Sequence, residues 1–498
     1  METRDCKIIA DVVKLRYIFE LDGGVSVKNQ REERGRRIFD GDLCVQRMAK
    51  SVKKNLFVAF FVFFAACSGV EATLPDAPIE SEAEPYVLGE AVEEAEILQS
   101  DIAGLTSWEL VQSMGAGWNI GNTLDSHWNE ASPWRTISHP HDQETLWGNP
   151  VTTREMIEFV RDSGFNTIRV PVTWYIHTGE GPEYIIDEAW MDRVQEIVDY
   201  SMDLGMFTIL NIHHDDYRSS ANWSNGWLKL YHAPEDRPLN DEEKAALNLR
   251  FARIWEQIAE RFIDYNEYLI FEGINEPRTV GMYNHTNEVW HEKGTFLNEL
   301  LQTFIDTVRA SGGRNADRHL MVAPYFASVG MSANDAYGRI DAFVNAETGR
   351  LRVNDPRDRL IVSLHYYEPW GFVVAPEDSQ WHSHYFDLDV GSVSWNIHTA
   401  FRIFEENFIA RGIPIIMGET GAYSRLLPSG ESNEAERVKW AEYFVGGLRE
   451  MGIPTVIWDD GGTFGLLDRE NLQWLYPDLA AALVAASQRE IREEFLYE

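Results

Sequence analysis

Cysteine is almost missing from this chain. Only Cys6, Cys44 and Cys67 occur in 498 residues. Beyond residue 67 there can be no disulfide framework, no thiolate metal site and no cysteine nucleophile. Basic charge is scarce too, with 44 Lys and Arg against 80 Asp and Glu and a formal net charge of −36. Such a surface repels nucleic-acid phosphates, so no nucleic-acid partner is expected. The apolar run at 56–67 falls short of the roughly 20 residues that span a bilayer. No strong internal repeat and no second break in composition marks an additional binding module.

The N-terminal part has a layout of its own. Residues 50–67 read Lys-Ser-Val-Lys-Lys-Asn-Leu-Phe-Val-Ala-Phe-Phe-Val-Phe-Phe-Ala-Ala-Cys: a basic start, a short apolar core and a small-residue stop. This predicts a signal peptide over 48–67, starting at Met48. Its end, Phe64-Ala65-Ala66-Cys67, resembles a lipobox with Cys67 as the lipid-bearing residue. The alternative is an ordinary signal cleaved near Ala72. Export is expected, as an outer-membrane or cell-surface lipoprotein or as a secreted protein. The only membrane contact foreseen is the lipid at Cys67. Residues 1–47 are expected to be a misassigned upstream extension, with a genuine cytoplasmic extension as the alternative. Residues 68–100 are rich in Glu, Ala and Pro and read as an acidic, solvated linker.

From residue 101 onward, β-rich apolar runs alternate with amphipathic stretches. Strands are predicted at 115–120, 167–171, 207–213, 268–275, 320–324, 360–365, 414–419 and 454–459. Helices are predicted between several of them, at 153–163, 192–203, 246–262 and 296–310. Leu249, Phe251, Ile254, Trp255, Ile258 and Phe262 carry a clear helical period. Eight strands alternating with helices predict an α/β fold, a (β/α)8 TIM barrel forming a single domain over 101–498. An open doubly wound sheet would instead place ligands at one switch point.

Polar residues gather at the ends of these strands: Arg169, His213, Asn275 with Glu276, His365, Tyr367, Glu419, and Trp458 with Asp459. In a barrel, strand ends converge on one pocket, and a carboxylate there reads as catalytic. Two facing carboxylates are what acid-assisted cleavage of a glycosidic bond needs. Taken singly, Arg169 also fits a structural ion pair, His213 a core histidine and Trp458 a core aromatic. His213-His214-Asp215-Asp216 suggests a metal site, but neighbouring strand residues point to opposite faces, which disfavours joint ligation. Gly115–Gly121 has the wrong spacing for a dinucleotide loop. The sequons at Asn222 and Asn284 are incidental in a chain with a bacterial-type signal.

Taken together and in order, these residues resemble glycoside hydrolase family 5, the large cellulase-type family of retaining β-glycanases, over about 101–480. Gly117-Trp118-Asn119-Ile120-Gly121-Asn122-Thr123-Leu124-Asp125 and Asn211-Ile212-His213-His214-Asp215 are similar to the branch called subfamily 4. That branch contains endoglucanases, mixed-linkage glucanases, xyloglucanases and some xylanases. The resemblance implies Glu276 as acid/base and Glu419 as nucleophile. It places Arg169, His213, Asn275, His365, Tyr367 and Trp458 around the cleaved sugar. His214 and Asn122, inside the two subfamily-like segments, join the expected substrate-binding set.

The chemistry agrees with that assignment. Glu276 must carry a proton to release the leaving sugar, and Glu419 must be ionised to attack. The expected activity is a retaining endo-β-1,4-glucanase acting on cellulose-type and mixed-linkage glucans, with no metal or organic cofactor. The alternatives are a xyloglucanase, xylanase or mannanase on the same scaffold, or a non-catalytic carbohydrate-binding barrel. The presence of both glutamates opposes the last. The expected partner is a polysaccharide and the expected state a monomer. Substrate choice is assigned to the loops 129–149 and 217–240, with Trp134, Trp147, Trp223 and Trp227.

Overall fold

The computed structural model describes residues 104–127, 139–216, 226–230, 237–278, 287–329 and 340–496, all within the unit Glu93–Glu498. The expected signal, Cys67, the linker, Trp134 and Trp223 lie outside the described residues.

Eight parallel strands close into a barrel in chain order: β1 Ala116–Ile120, β2 Thr167–Val170, β3 Phe207–Asn211, β4 Leu269–Glu272, β5 Leu320–Val322, β6 Leu360–His365, β7 Ile415–Thr420 and β8 Thr455–Asp459. The ring is completed where β1 pairs with β8, from Ala116 opposite Thr455 to Ile120 opposite Asp459. The expected (β/α)8 architecture is the one found. Strands β3 and β4 end earlier than their apolar runs suggest, at Asn211 and Glu272. His213, Asn275 and Glu276 therefore belong to the turns beyond the strands.

Helices between the strands start where side chains can accept the first free backbone N–H groups. Arg154–Asp162 is capped by Thr153, and Glu188–Asp203 by Asp187, earlier than the expected start at 192. Asp241–Arg261 begins at an Asn240–Glu243 capping box. Further helices are Asn287–Ala310, Gly391–Asn407 and Pro477–Ser487. Between β7 and β8, Glu434–Trp440 continues through a π-helical stretch, Ala441–Val445, into Gly446–Glu450. Among the described residues no helix is long and apolar enough to cross a membrane.

Alternation along the strands builds two cores. Ile168, Val170, Leu210, Leu269, Phe271, Val322, Val362, Leu364, Ile415 and Ile457 face out and pack under the helices. Phe207, Ile209, Ile270, Met321, Ile361, Ile416 and Val456 face in and fill the lower half of the barrel. The short helix Ser107–Ser113, held by a Thr106–Glu109 capping box, plugs that end with Trp108, Leu110 and Val111. One step higher on the same inward face, the residues turn polar.

Candidate active site

The upper interior layer is organised around Arg169, which is fully buried. Its Nη1 donates to Glu419 Oε1 at 2.8 Å and to Asn119 Oδ1 at 2.9 Å. Its Nη2 donates to Asn275 Oδ1 at 2.8 Å, and its Nε to Glu272 Oε2 at 2.7 Å. Asn211 Nδ2 adds a 2.9 Å bond to the same Glu272 oxygen. One guanidinium from β2 thus fixes groups from β1, β4, the turn after β4, and β7. The planar fork suits this, since its donors diverge at set angles.

Glu419 reaches the interior because of a bulge. Strict alternation from the inward Ile416 would turn residue 419 outward. The register between β6 and β7 shifts after Leu364, so that His365 stands opposite Glu419. Gly418 makes the close approach possible: a Cβ there would lie 2.6 Å from Ser363 Oγ.

His365 joins the two glutamates. Its Nδ1 lies 3.0 Å from Glu276 Oε1 and 3.4 Å from Glu419 Oε2. One oxygen of each glutamate and a His365 ring nitrogen all lie within 4.8 Å of one another. Tyr367 donates its hydroxyl to Glu419 Oε2 at 3.2 Å. Burial, with Glu419 beside it, holds the Tyr367 phenol well above its ordinary pKa, so it remains a donor. Arg278 Nη2 stands 3.4 Å from the outer oxygen of Glu276.

On the other side of Glu419, His213 Nε2 is 3.9 Å from Oε1. The His213 ring lies parallel to Trp458, with centroids 5.7 Å apart and planes 5° apart. His214 packs edge-on against His213, with centroids 4.4 Å apart. It also meets His127 and Trp147 at 5.2 and 5.9 Å. The alternation that set His213 and His214 on opposite faces fails here, because β3 has already ended at Asn211. The two rings converge with Asp125, and one ligating atom from each falls within 4.8 Å of the others. Burial pushes the Asp125 carboxyl up to about 7.

Other residues are brought near and help to build the frame. Asn122 occupies the turn after β1 at φ 57°, and its carbonyl accepts from Asn149. It takes no part in the bonds that tie the two glutamates together. Asp215 accepts from the Trp174 backbone N–H and from Trp227 Nε1, at 2.8 and 2.9 Å. Trp227, assigned above to substrate choice, is thereby an anchor of the β3 turn. Asp459 pairs with Arg469 and accepts from Trp118 and the backbone of Leu466 and Leu467, which ties down the turn after β8.

No role was assigned from the sequence to Asn119, Asn211, Glu272, Asp125 or His127, although Asn119, Asp125 and Asn211 lie in the two subfamily-like segments. For the first three a signal existed: each is a polar residue at inward parity on a fully buried strand, above Ile209 and Ile270 for Asn211 and Glu272 and above Gly117 for Asn119. Asp125 and His127 lie on a loop, where no period reveals which side chain turns inward.

The cellulase family model (glycosyl hydrolase family 5) matches residues 124–463. Endoglucanase B of Neocallimastix patriciarum is 38% identical over 397 residues, covering 78% of this chain and 73% of its own. A solved GH5-4 broad specificity endoglucanase from Ruminococcus champanellensis, with bound cellotriose, is 38% identical at a TM-score of 0.63. It covers 76% of this chain and 98% of its own. A GH5 xyloglucan-specific endo-beta-1,4-glucanase from a metagenomic library, in complex with cellotriose, is 33% identical at a TM-score of 0.61. It too covers 76% of this chain and 98% of its own.

Proposed function

We infer the reaction from the premise that this chain belongs to glycosyl hydrolase family 5: it is a retaining endo-β-1,4-glucanase, with Glu419 as nucleophile and Glu276 as acid/base. The observation that carries this is the approach of the two carboxylates, an oxygen of each within 4.8 Å of the other, with His365 touching both. Retaining glycosidases hold their carboxyl groups about 5–5.5 Å apart, whereas inverting ones need about 6.5–9.5 Å to admit a water.

In the first step a Glu419 oxygen attacks the anomeric carbon, and Glu276 gives its proton to the leaving glycosidic oxygen. In the second, Glu276 takes a proton from water, which displaces Glu419. Arg169 and Tyr367 hold the two Glu419 oxygens, so the nucleophile is oriented before substrate arrives. Asn275, held by Arg169, is placed to bond the sugar 2-hydroxyl, a contact that strengthens toward the oxocarbenium-like transition state. Trp458, backed by His213, offers a flat face to a sugar ring.

The cellotriose held by the solved relatives supports a β-1,4-glucan backbone as substrate. The broad specificity of one and the xyloglucan specificity of the other support mixed-linkage and branched glucans as further substrates, with Trp147 at the rim. Export with lipid attachment at Cys67 remains part of this reading, on the strength of the 48–67 pattern. Unchanged processing and membrane association in Cys67→Ala would replace lipidation by simple secretion.

Proton NMR of the first product released from barley β-glucan tests the mechanism. A β-anomer is expected, and an α-anomer excludes the scheme.

A further inference from the structure

We propose that Arg278, backed by Asp216 and Phe326, is a positioning residue that acts through Glu276: its fixed positive charge favours the ionised form of that glutamate, which the second step of the reaction needs. The proposal rests on the reading of Glu276 as acid/base.

Arg278 lies two residues beyond Glu276, in the turn after β4. Its Nη2 is 3.4 Å from Glu276 Oε2, while Oε1 faces His365 Nδ1 at 3.0 Å. On the far side, Arg278 Nε is 3.5 Å from Oδ2 of Asp216. Asp216 is buried and is the last residue of the 213–216 run, to which the reaction as described gives no part. The guanidinium lies over the Phe326 ring, with Cζ 4.5 Å from its centroid. Phe326 holds a φ of 63°, a costly conformation for a bulky side chain. Its backbone N–H donates to the Pro277 carbonyl at 2.9 Å, which fixes it against the turn that carries Arg278. Turns after β3, β4 and β5 thus meet at one guanidinium. Both Arg278 and Glu276 are largely shielded from water, so salt screens the pair weakly.

The charge around Glu276 changes during the reaction. In the free enzyme, ionised Glu419 stands close by and favours a protonated Glu276. Once Glu419 carries the sugar, that negative charge is gone. The charge of Arg278 stays. It is outweighed while Glu276 must act as acid, and it prevails when Glu276 must take a proton from water. Other charged or titratable groups also face this place. They are His365 from β6, Tyr367 from the turn after it, and His213 from the turn after β3. Arg169 is committed to Glu272, Glu419 and Asn275.

The test compares pH profiles of the enzyme and its variants on two substrates. The basic limb of kcat/KM on barley β-glucan reports the protonated Glu276 of the free enzyme. The acid limb of kcat on dinitrophenyl β-cellobioside, whose leaving group needs little protonation, reports the ionised Glu276 of the glycosyl-enzyme. An opposite charge at this range moves a carboxyl by about 1–3 pH units, and Asp216 offsets part of that. Both limbs should therefore rise by about one pH unit in Arg278→Gln. Arg278→Lys keeps the charge and should bring them most of the way back. Asp216→Asn leaves Arg278 in place, removes the negative charge behind it, and should move both limbs down. Limbs that stay in place in Arg278→Gln, or that move as far in Arg278→Lys, overturn the proposal. So does an upward shift in Asp216→Asn. Glu276→Gln checks the underlying reading separately. A first-step loss on dinitrophenyl β-cellobioside as large as the loss on β-glucan would remove Glu276 as the acid, whatever Arg278 does.

Discussion

The barrel interior is divided into two layers that share the same strands and differ in chemistry. The lower layer is Ile209, Ile270, Met321, Ile361, Ile416 and Val456. Two residues further along the inward faces stand Asn211, Glu272, Ser363 and Trp458, with Asn119, Arg169 and Glu419 beside them. Apart from the half-buried Trp458, both layers are almost fully dehydrated. In the lower one, burial stabilises the fold at about 25 cal/mol per Å² of apolar surface. In the upper one, burial works against two carboxylates and a guanidinium, and it is offset by their mutual hydrogen bonds and by those with Asn119, Asn211, Asn275 and Tyr367. One layer serves stability. The other is retained at a cost because a water-poor, preset array of charges is what the reaction uses.

Breaking the upper layer at its reactive member should have the largest effect. Glu419→Ala is expected to lower kcat on β-glucan by about 10⁴-fold or more, since in the proposed mechanism no neighbour can replace it as nucleophile. Its thermal midpoint should stay within a few degrees of the parent. Steady-state assays beside a melting curve check both halves.

Glu272→Gln tests whether the layer acts as a unit. Glu272 touches neither the anomeric carbon nor Glu276. It is a positioning residue that acts through Arg169. The change leaves the Arg169 charge answered by Glu419 alone, and is expected to destabilise by about 3 kcal/mol, as buried pairs do when one partner is removed. It should also slow kcat at least about tenfold, as loss of one oriented charge in a preset site does, and move the acid limb of the pH–kcat profile. A variant that only melted earlier, with an unchanged profile, would reduce Glu272 to a structural role.

The matched break in the lower layer is Ile270→Ala, on the same strand and face as Glu272. It is expected to cost about 2–5 kcal/mol of stability through the cavity it leaves. The kcat at 25 °C should be unaltered. Denaturant unfolding and activity on one preparation would show whether the layers separate.

The last expected effect is a change of slope with pH and concerns Asp125. Its folded-state carboxyl is pushed up to about 7 by burial, above the ordinary 3.8. Between those values the folded state holds a proton that the unfolded state has lost, so this group's contribution falls as pH rises from about 4 through 7. Asp125→Asn should therefore gain in melting temperature relative to the parent between pH 4 and pH 8. A constant difference would show that the carboxyl does not titrate in that window.

Much of this was legible in the chain. Strand–helix alternation gave the barrel, because apolar runs of period 2 and amphipathic runs of period 3.6 leave little else to build. The position of Arg169 and Glu419 on strands was readable too. Strand ends were not: Phe207–Asn211 and Leu269–Glu272 stop before their apolar runs do, since Ile212 and Ile274 are buried in turns and carry no period of their own. That error had a chemical consequence. Alternation carried past Asn211 separated His213 from His214, whereas the turn brings them together. The inward aim of Glu419 was hidden for a related reason, as a bulge one residue wide reverses parity without any distinctive composition beyond Gly418.

The sequence by itself determined which residue types stand at which strands, and so the fold, the family and the two glutamates proposed above to react. Local rules suffice for these, because hydrophobic period and side-chain chemistry are properties of short stretches. Only the tertiary structure decided how those groups share partners: that one Arg169 serves Glu272, Glu419 and Asn275 at once, that His365 bridges Glu276 and Glu419, and that Asp125 meets His213 and His214. These contacts join residues 50 to 250 apart in the chain. They depend on closure of the ring and on turns and bulges that set the last few ångströms, which no local pattern encodes.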